Sequence, residues 1–272
     1  MIDTAPNQKS SPIKRTVSMM LAAGVALAIA YGAGEISHLS SFWISEAGAP
    51  DFFREPINLV LALAGLLVWQ KLSRLPNQTP PIWGSPAIGL GWGWLVGCSL
   101  PGLALLGLVI VQAGVFEGRP FVLAALIIPI PFILIHAMAE QVVVRGIAQR
   151  AGHAAIGPLA GIGLAALTFC ALQTSQGYSS VWHIANSALF GAALGFLALG
   201  RGGIWAAIAG HAGWTWLETS WIGDAVTFQK DGGFWAGAGP DSYGSPVFTL
   251  VLILFLALMG TGQALQAAKE KQ

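Results

Sequence analysis

Residues 127–150 read IIPIPFILIHAMAEQVVVRGIAQR. The stretch opens as an apolar run and then carries a carboxylate, Glu140, and a guanidinium, Arg145. Such a run reads as a membrane-crossing helix. At bilayer depth a carboxylate costs at least ~2.5 kcal/mol even on the gentlest insertion scales, so it is usually kept because it pairs, binds or reacts. On an α-helix, Glu140 and Arg145 stand roughly 500° apart and point to different faces. The plainer alternative is a carboxylate buried against a hydroxyl or a tryptophan, with Arg145 snorkelling to the headgroups.

The rest of the chain has the same character. Of its 272 residues, 55% are hydrophobic and 9% are charged, where soluble domains carry about 25% charged residues. This is the composition of a polytopic membrane protein. The net charge of +1 gives no reason to expect a nucleic-acid partner. Cys98 and Cys170 both lie in apolar segments and read as packing residues rather than a disulfide or a metal pair. The 35 glycines suit close helix packing through small residues.

Eight apolar stretches are long enough to span, at residues 17–35, 57–72, 88–112, 121–147, 154–172, 182–199, 204–221 and 246–265. The expected fold is therefore all-α, a polytopic membrane helix bundle of about eight transmembrane helices. A single membrane domain covers 17–266, between tails at 1–16 and 267–272. With the N-terminus inside, ten basic residues fall inside (Lys9, Lys14, Arg15, Lys71, Arg74, Arg145, Arg150, Arg201, Lys269 and Lys271). Only Arg54, Arg119 and Lys230 fall outside. This asymmetry puts both termini in the cytoplasm. Residues 40–56 read as an interfacial amphipathic piece, and the outer loop 222–245 as a cap over the bundle.

Few polar residues lie at depth. His136 is one turn before Glu140, on the same helix face. Counted from the expected inner helix ends, Glu140 lies roughly 15 Å deep and His211 roughly 12 Å deep, so the two can meet. Glu and His suit zinc, but zinc takes four ligands and two are too few. His211 could equally be a packed histidine bonded to a backbone carbonyl or to Glu218. Glu218 itself reads as a carboxylate near the interface, among Trp214, Trp216 and Trp221. His183 opens the sixth span near the outer surface.

Several stretches resemble the CAAX protease and bacteriocin-processing (Abi) family of intramembrane metalloproteases. That family has a helix pattern Glu-Glu-x-x-x-Arg, then Phe-x-x-x-His, then His-x-x-x-Asn. AEQVVVRGIAQR at 139–150 is similar to the first motif. GPLAGIGLAALTFCALQ at 157–173 is similar to the second, with Phe169. GFLALGRGGIWAAIAGHAGWTW at 195–216 is similar to the third, with His211. GAGPDSYGSPVFTL at 237–250 resembles a stretch found before the last helix of bacterial members. The resemblance covers about residues 125–255.

Three motif positions are kept, Glu140, Arg145 and His211. Three are changed: Gln141 replaces the second glutamate, Gln173 the histidine and Thr215 the asparagine. The resemblance implies a glutamate that activates a metal-bound water, with histidines and the asparagine as ligands or supports. On that pattern Glu140 and His211 are the candidate metal ligands, and zinc is the cofactor if the protein is active. The substitutions point to a site partly dismantled.

By the spans above, Gln173 lies near the outer face, roughly 10 Å beyond Glu140 along the membrane normal, unless tilt or a kink at Pro129 or Pro131 closes the gap.

The leading expectation is a homologue with weakened or lost catalysis in the inner (plasma) membrane. It would bind or shield a membrane protein or membrane peptide within the lipid bilayer. The alternatives are an active intramembrane metalloendopeptidase with an altered metal site, and a binder of a lipid-like small molecule.

Overall fold

The computed structural model describes residues 11–46, 54–73, 83–118, 122–177, 180–231, 233–238 and 241–269. The described chain is a helical bundle with one small sheet. Helix α1 runs Pro12–Glu46, α2 Arg54–Ser73 and α3 Pro86–Ile110. A short α4, Leu123–Ile127, leads past Pro129 into α5, Ile130–Val143. A π-helical turn, Val144–Gln149, joins α5 to α6, Arg150–Ala155. Then follow α7 Pro158–Ser175, α8 Val181–Leu199 and α9 Ile204–Trp216. Helix α9 continues as a second π-helical turn, Leu217–Ala225, and the last helix is α10, Pro246–Lys269.

Among the described residues, six helical stretches are long and apolar enough to cross a membrane. The π-extended α9 and α10 are the remaining long helical stretches, so the described bundle has the eight expected, six of them with the length and apolarity of a span. Contacts between loops agree with that count. Trp83, before α3, bridges to Gly203, before α9. At the opposite ends of these helices, strand β1 (Gly114–Gly118) pairs antiparallel with β2 (Val226–Lys230).

Local chemistry sets the helix ends. Pro86 and Pro158 each stand in the first turn of a helix, where the missing N–H costs nothing. Gly157, at φ +126°, makes the reversal between α6 and α7. Ser180 caps α8 by accepting a hydrogen bond from the His183 N–H at 3.2 Å.

One expectation needs correction here. Residues up to 46 continue α1 as regular helix, and residues 54–56 begin α2. The expected interfacial piece is therefore not a separate element where described, and 47–53 lie outside the described residues. The β1–β2 pair is a small addition to the expected all-α bundle, which the described chain bears out.

Helix α9 lies between two hydrophobic clusters. Ala206, Ala207 and Trp214 face one that includes Phe169, Phe190, Tyr243 and Phe248. Ile204, Ile208 and Ala212 face another, with Ala22, Ala62, Ala137 and Val142. A helix apolar on all sides belongs in such a place. Glycines on α3 bring it close. A side chain at Gly93 would collide with the Ala206 carbonyl, and one at Gly97 with the Gly210 carbonyl. This close backbone approach through small residues places His211, next to Gly210, at a fixed depth.

The described part of the loop between α9 and α10 packs on α8. The Tyr243 hydroxyl donates to Ser187 Oγ at 2.8 Å. The Asn186 side-chain amide donates to the carbonyls of Tyr243 at 2.5 Å and Ser245 at 3.0 Å.

Candidate functional site

Glu140 sits in the last turn of α5 and is 5% exposed. Its carboxylate is surrounded by nitrogen. The Gln176 amide donates to Oε1 at 2.8 Å, and the Gln173 amide to Oε2 at 3.5 Å. His136 Nε2 lies 3.4 Å from Oε1, and His211 Nδ1 lies 3.7 Å from Oε2. The other ring nitrogen of His136, Nδ1, lies 2.9 Å from Glu55 Oε2, so one imidazole bridges two carboxylates. The expected meeting of Glu140 and His211 is present.

The expected offset of Gln173 is not. Helix α6 runs on to Ala155, and α7 begins only at Pro158. Glu140 is thus fifteen residues before the end of α6, and Gln173 is fifteen residues after the start of α7. Equal distances from one tight reversal put them at the same depth.

Arg145 also departs from expectation. It does not snorkel to the headgroups, because it is 1% exposed. Its Nε donates to Gln141 Oε1 at 2.9 Å, and its Nη1 to Gln149 Oε1 at 3.5 Å. Gln149 in turn donates to the Gly195 carbonyl at 3.0 Å, tying the π turn to α8. Two glutamine oxygens, one four residues before and one four after, accept from Nε and Nη1, while Nη2 is buried without a partner among the described residues. Gln141 joins this row to the site, since its Nε2 lies 3.2 Å from His211 Nδ1. Interrupted helical hydrogen bonding of this kind recurs at functional sites.

Beside these residues lies a cavity of about 230 Å³, lined by His136, Gln173, Gln176, His211, Trp214, Thr215, Glu218 and Asp241. The Thr215 hydroxyl donates to the His211 carbonyl at 3.1 Å, a bond within its own helix. The His211 ring is stacked on Trp214, at 17° between planes, and meets Phe169 edge-on. A smaller opening of about 60 Å³ reaches Glu140 from the side of α1 and α2, past Arg54, Asn58 and His136.

Glu218 does more than sit at an interface. Its carboxylate accepts from the Ser242 hydroxyl and, at 3.3 Å, from the Ser242 N–H. Asp241 Oδ1 accepts from the Gly244 N–H at 3.0 Å and lies 3.3 Å from His183 Nε2. His183 therefore belongs to the cap rather than to the Glu140 group. On β2, burial pushes the Lys230 ammonium below its ordinary pKa, against the opposing pull of Asp241 and Glu218.

Glu55 and Gln176 were not picked out from the sequence. Gln176 stands one turn after Gln173 on the same face, which is a usable signal. Glu55 gave none, since an acid in the first turn of a helix already has a reason to be there.

A resident zinc does not fit this donor set. Among the described residues, no group of three or more His, Cys, Asp or Glu side chains could hold a metal ion, whereas a catalytic zinc usually takes three protein ligands and a water. The carboxylate and one imidazole nitrogen already face amide nitrogens.

The bundle and its buried carboxylate–imidazole group define a multi-pass membrane protein with a polar site in its interior. Residues 120–217, which carry that group apart from Glu55, match the family model described as "Type II CAAX prenyl endopeptidase Rce1-like". This match supports the resemblance to the CAAX protease and bacteriocin-processing family that the motifs carry. The match ends before the 237–250 stretch. No curated protein matches the chain.

Proposed function

We propose that this protein is a membrane-embedded homologue of the CAAX-type endopeptidases that holds a membrane protein or membrane peptide in the cavity beside Glu140, with catalysis weakened or lost. The observation that carries this reading is the state of the Glu140 carboxylate. Gln173, at the position where the family pattern has histidine, and Gln176 both turn amide N–H groups onto it. Those amide N–H groups occupy carboxylate lone pairs that would otherwise face a water. A water beside it, with no metal to lower its pKa, is a feeble nucleophile at neutral pH. The cavity remains, lined by Trp214, Thr215, His211 and two glutamines, and suits a chain that offers both apolar surface and peptide groups.

One observation favours a second reading, an active endopeptidase. His136 lies against Glu140 and is backed by Glu55. It supplies an imidazole that Gln173 does not. On that reading Glu140 takes a proton from a water whose oxygen adds to the substrate carbonyl carbon, leaving a neutral carboxyl and a tetrahedral oxyanion, and His136 holds the Glu140 carboxyl in place.

The ten-to-three basic asymmetry supports an orientation with both termini in the cytoplasm, in the inner (plasma) membrane. Arg145 is buried and drops out of that tally, which leaves nine against three.

The test is photo-crosslinking in native membranes from a reactive side chain at Thr215. A membrane-inserted polypeptide should be captured, and capture should fall when Trp214→Ala opens the wall of the cavity. Capture of lipid alone would replace this reading with that of a lipid-like ligand.

A further inference from the structure

The side-chain row behind the cavity fixes where the proton of His211 resides. A guanidinium has only donors, so the Gln141 atom that faces Arg145 Nε at 2.9 Å is the amide oxygen. The same amide therefore turns its NH₂ toward His211 Nδ1, 3.2 Å away. An NH₂ group only donates, so Nδ1 must be the acceptor and carry a lone pair. The neutral ring then has its proton on Nε2. The nearby Glu140 Oε2 would favour the opposite tautomer, but at 3.7 Å from Nδ1 it lies beyond hydrogen-bonding reach. Among the described residues, the polar contacts of the ring run to Nδ1, and the ring lines the cavity. Phe169 and Trp214 hold the ring plane in place.

The geometry points to Gln141 and Arg145 as positioning residues that lock His211 into its Nε2–H form, making the cavity a hydrogen-bond site for a carbonyl oxygen rather than a site for a cation. This rests on the proposed binding function and names the chemistry of its ligand, an amide or ester carbonyl. The identity of residue 141 acts as the selector. A glutamate there would accept from Nδ1–H, leaving a lone pair on Nε2 toward the cavity, which is the form that binds a metal. Gln141 makes the opposite choice.

Nitrogen-15 NMR of histidine-labelled protein in detergent tests this, with His211 assigned by loss of its signals in His211→Gln. The wild-type ring should show a protonated Nε2 and a pyridine-like Nδ1. In Gln141→Glu the pattern should reverse, and zinc affinity should rise at least tenfold over wild type. In Gln141→Leu, which removes the lock without supplying an acceptor, both tautomers should be populated. A wild-type ring protonated at Nδ1 overturns the inference whether or not the variants fold, and so does a folded Gln141→Glu with an unchanged ring. None of these signals depends on a partner. A failed crosslinking experiment leaves the tautomer result standing, and a wrong tautomer leaves the crosslinking result standing.

Discussion

The Gln173 side-chain amide donates to the Glu140 carboxylate at 3.5 Å, joining α7 to the last turn of α5. Gln176, one turn further on, donates to the other carboxylate oxygen at 2.8 Å. An imidazole at position 173 could take up a proton or coordinate a metal, but an amide can only hold the carboxylate in place. Rebuilding the motif therefore has a definite expected outcome. The combined variant Gln141→Glu, Gln173→His and Thr215→Asn should bind zinc in isothermal titration, at a protein from which wild type takes up none. If the variant folds and binds no zinc, the description of a dismantled metal site is wrong.

Arg145 should matter for stability rather than for contact with a ligand. Replacing it with methionine leaves the Gln141 and Gln149 side-chain oxygens without their donor. Each buried acceptor left unpaired costs about 1–3 kcal/mol. Thermal unfolding in detergent should show a clear drop in midpoint for Arg145→Met. An unchanged midpoint would mean that the row Gln141–Arg145–Gln149 contributes nothing to the fold.

The glycines of α3 give a sharper contrast. A side chain at Gly97 meets the Gly210 backbone, whereas one at Gly102 finds only Leu217 Cδ2 at 3.9 Å. Overpacking costs typically about 1–3 kcal/mol, and more where backbone must move. Gly97→Leu should abolish a monodisperse peak in size-exclusion chromatography, and Gly102→Ala should leave it intact. Equal behaviour of the two would contradict the close packing of α3 on α9.

Orientation can be read from cysteine accessibility. In a background without Cys98 and Cys170, Gly232→Cys should label from outside the cell, and Ser10→Cys and Ala268→Cys only after permeabilisation. Ser10 and Gly232 lie outside the described residues, so the expectation rests on the basic asymmetry alone. The reverse pattern would invert the topology.

Much of this was legible in the sequence where one dominant force acts. Apolar length marked out the long helices of the bundle, six of them with the character of spans, and depth counted from helix ends brought Glu140 to His211. Gln173 was misplaced for a specific reason. Ala154, Ala155 and Ile156 are apolar, so the pattern ran the fifth span through them, whereas Gly157 and Pro158 set the true start of α7. Arg145 was misread because charge at a span's end ordinarily snorkels. Its burial depends on the π turn and on two glutamines, and that combination has no hydrophobic signature. The β1–β2 pair escaped because each strand is only five residues long. Glu55 reaches His136 from another helix, a contact that no local pattern encodes.

The most direct measurement of the central claim is the length of the chain captured at the site. Membrane polypeptides crosslinked from Thr215 would be recovered from cells carrying wild type and from cells carrying Glu140→Gln, and their termini mapped by mass spectrometry. A protein that holds its partner without cutting it should yield the same intact polypeptide in both. A new terminus within the captured chain in wild type, absent in Glu140→Gln, would contradict the account and make this protein a working endopeptidase.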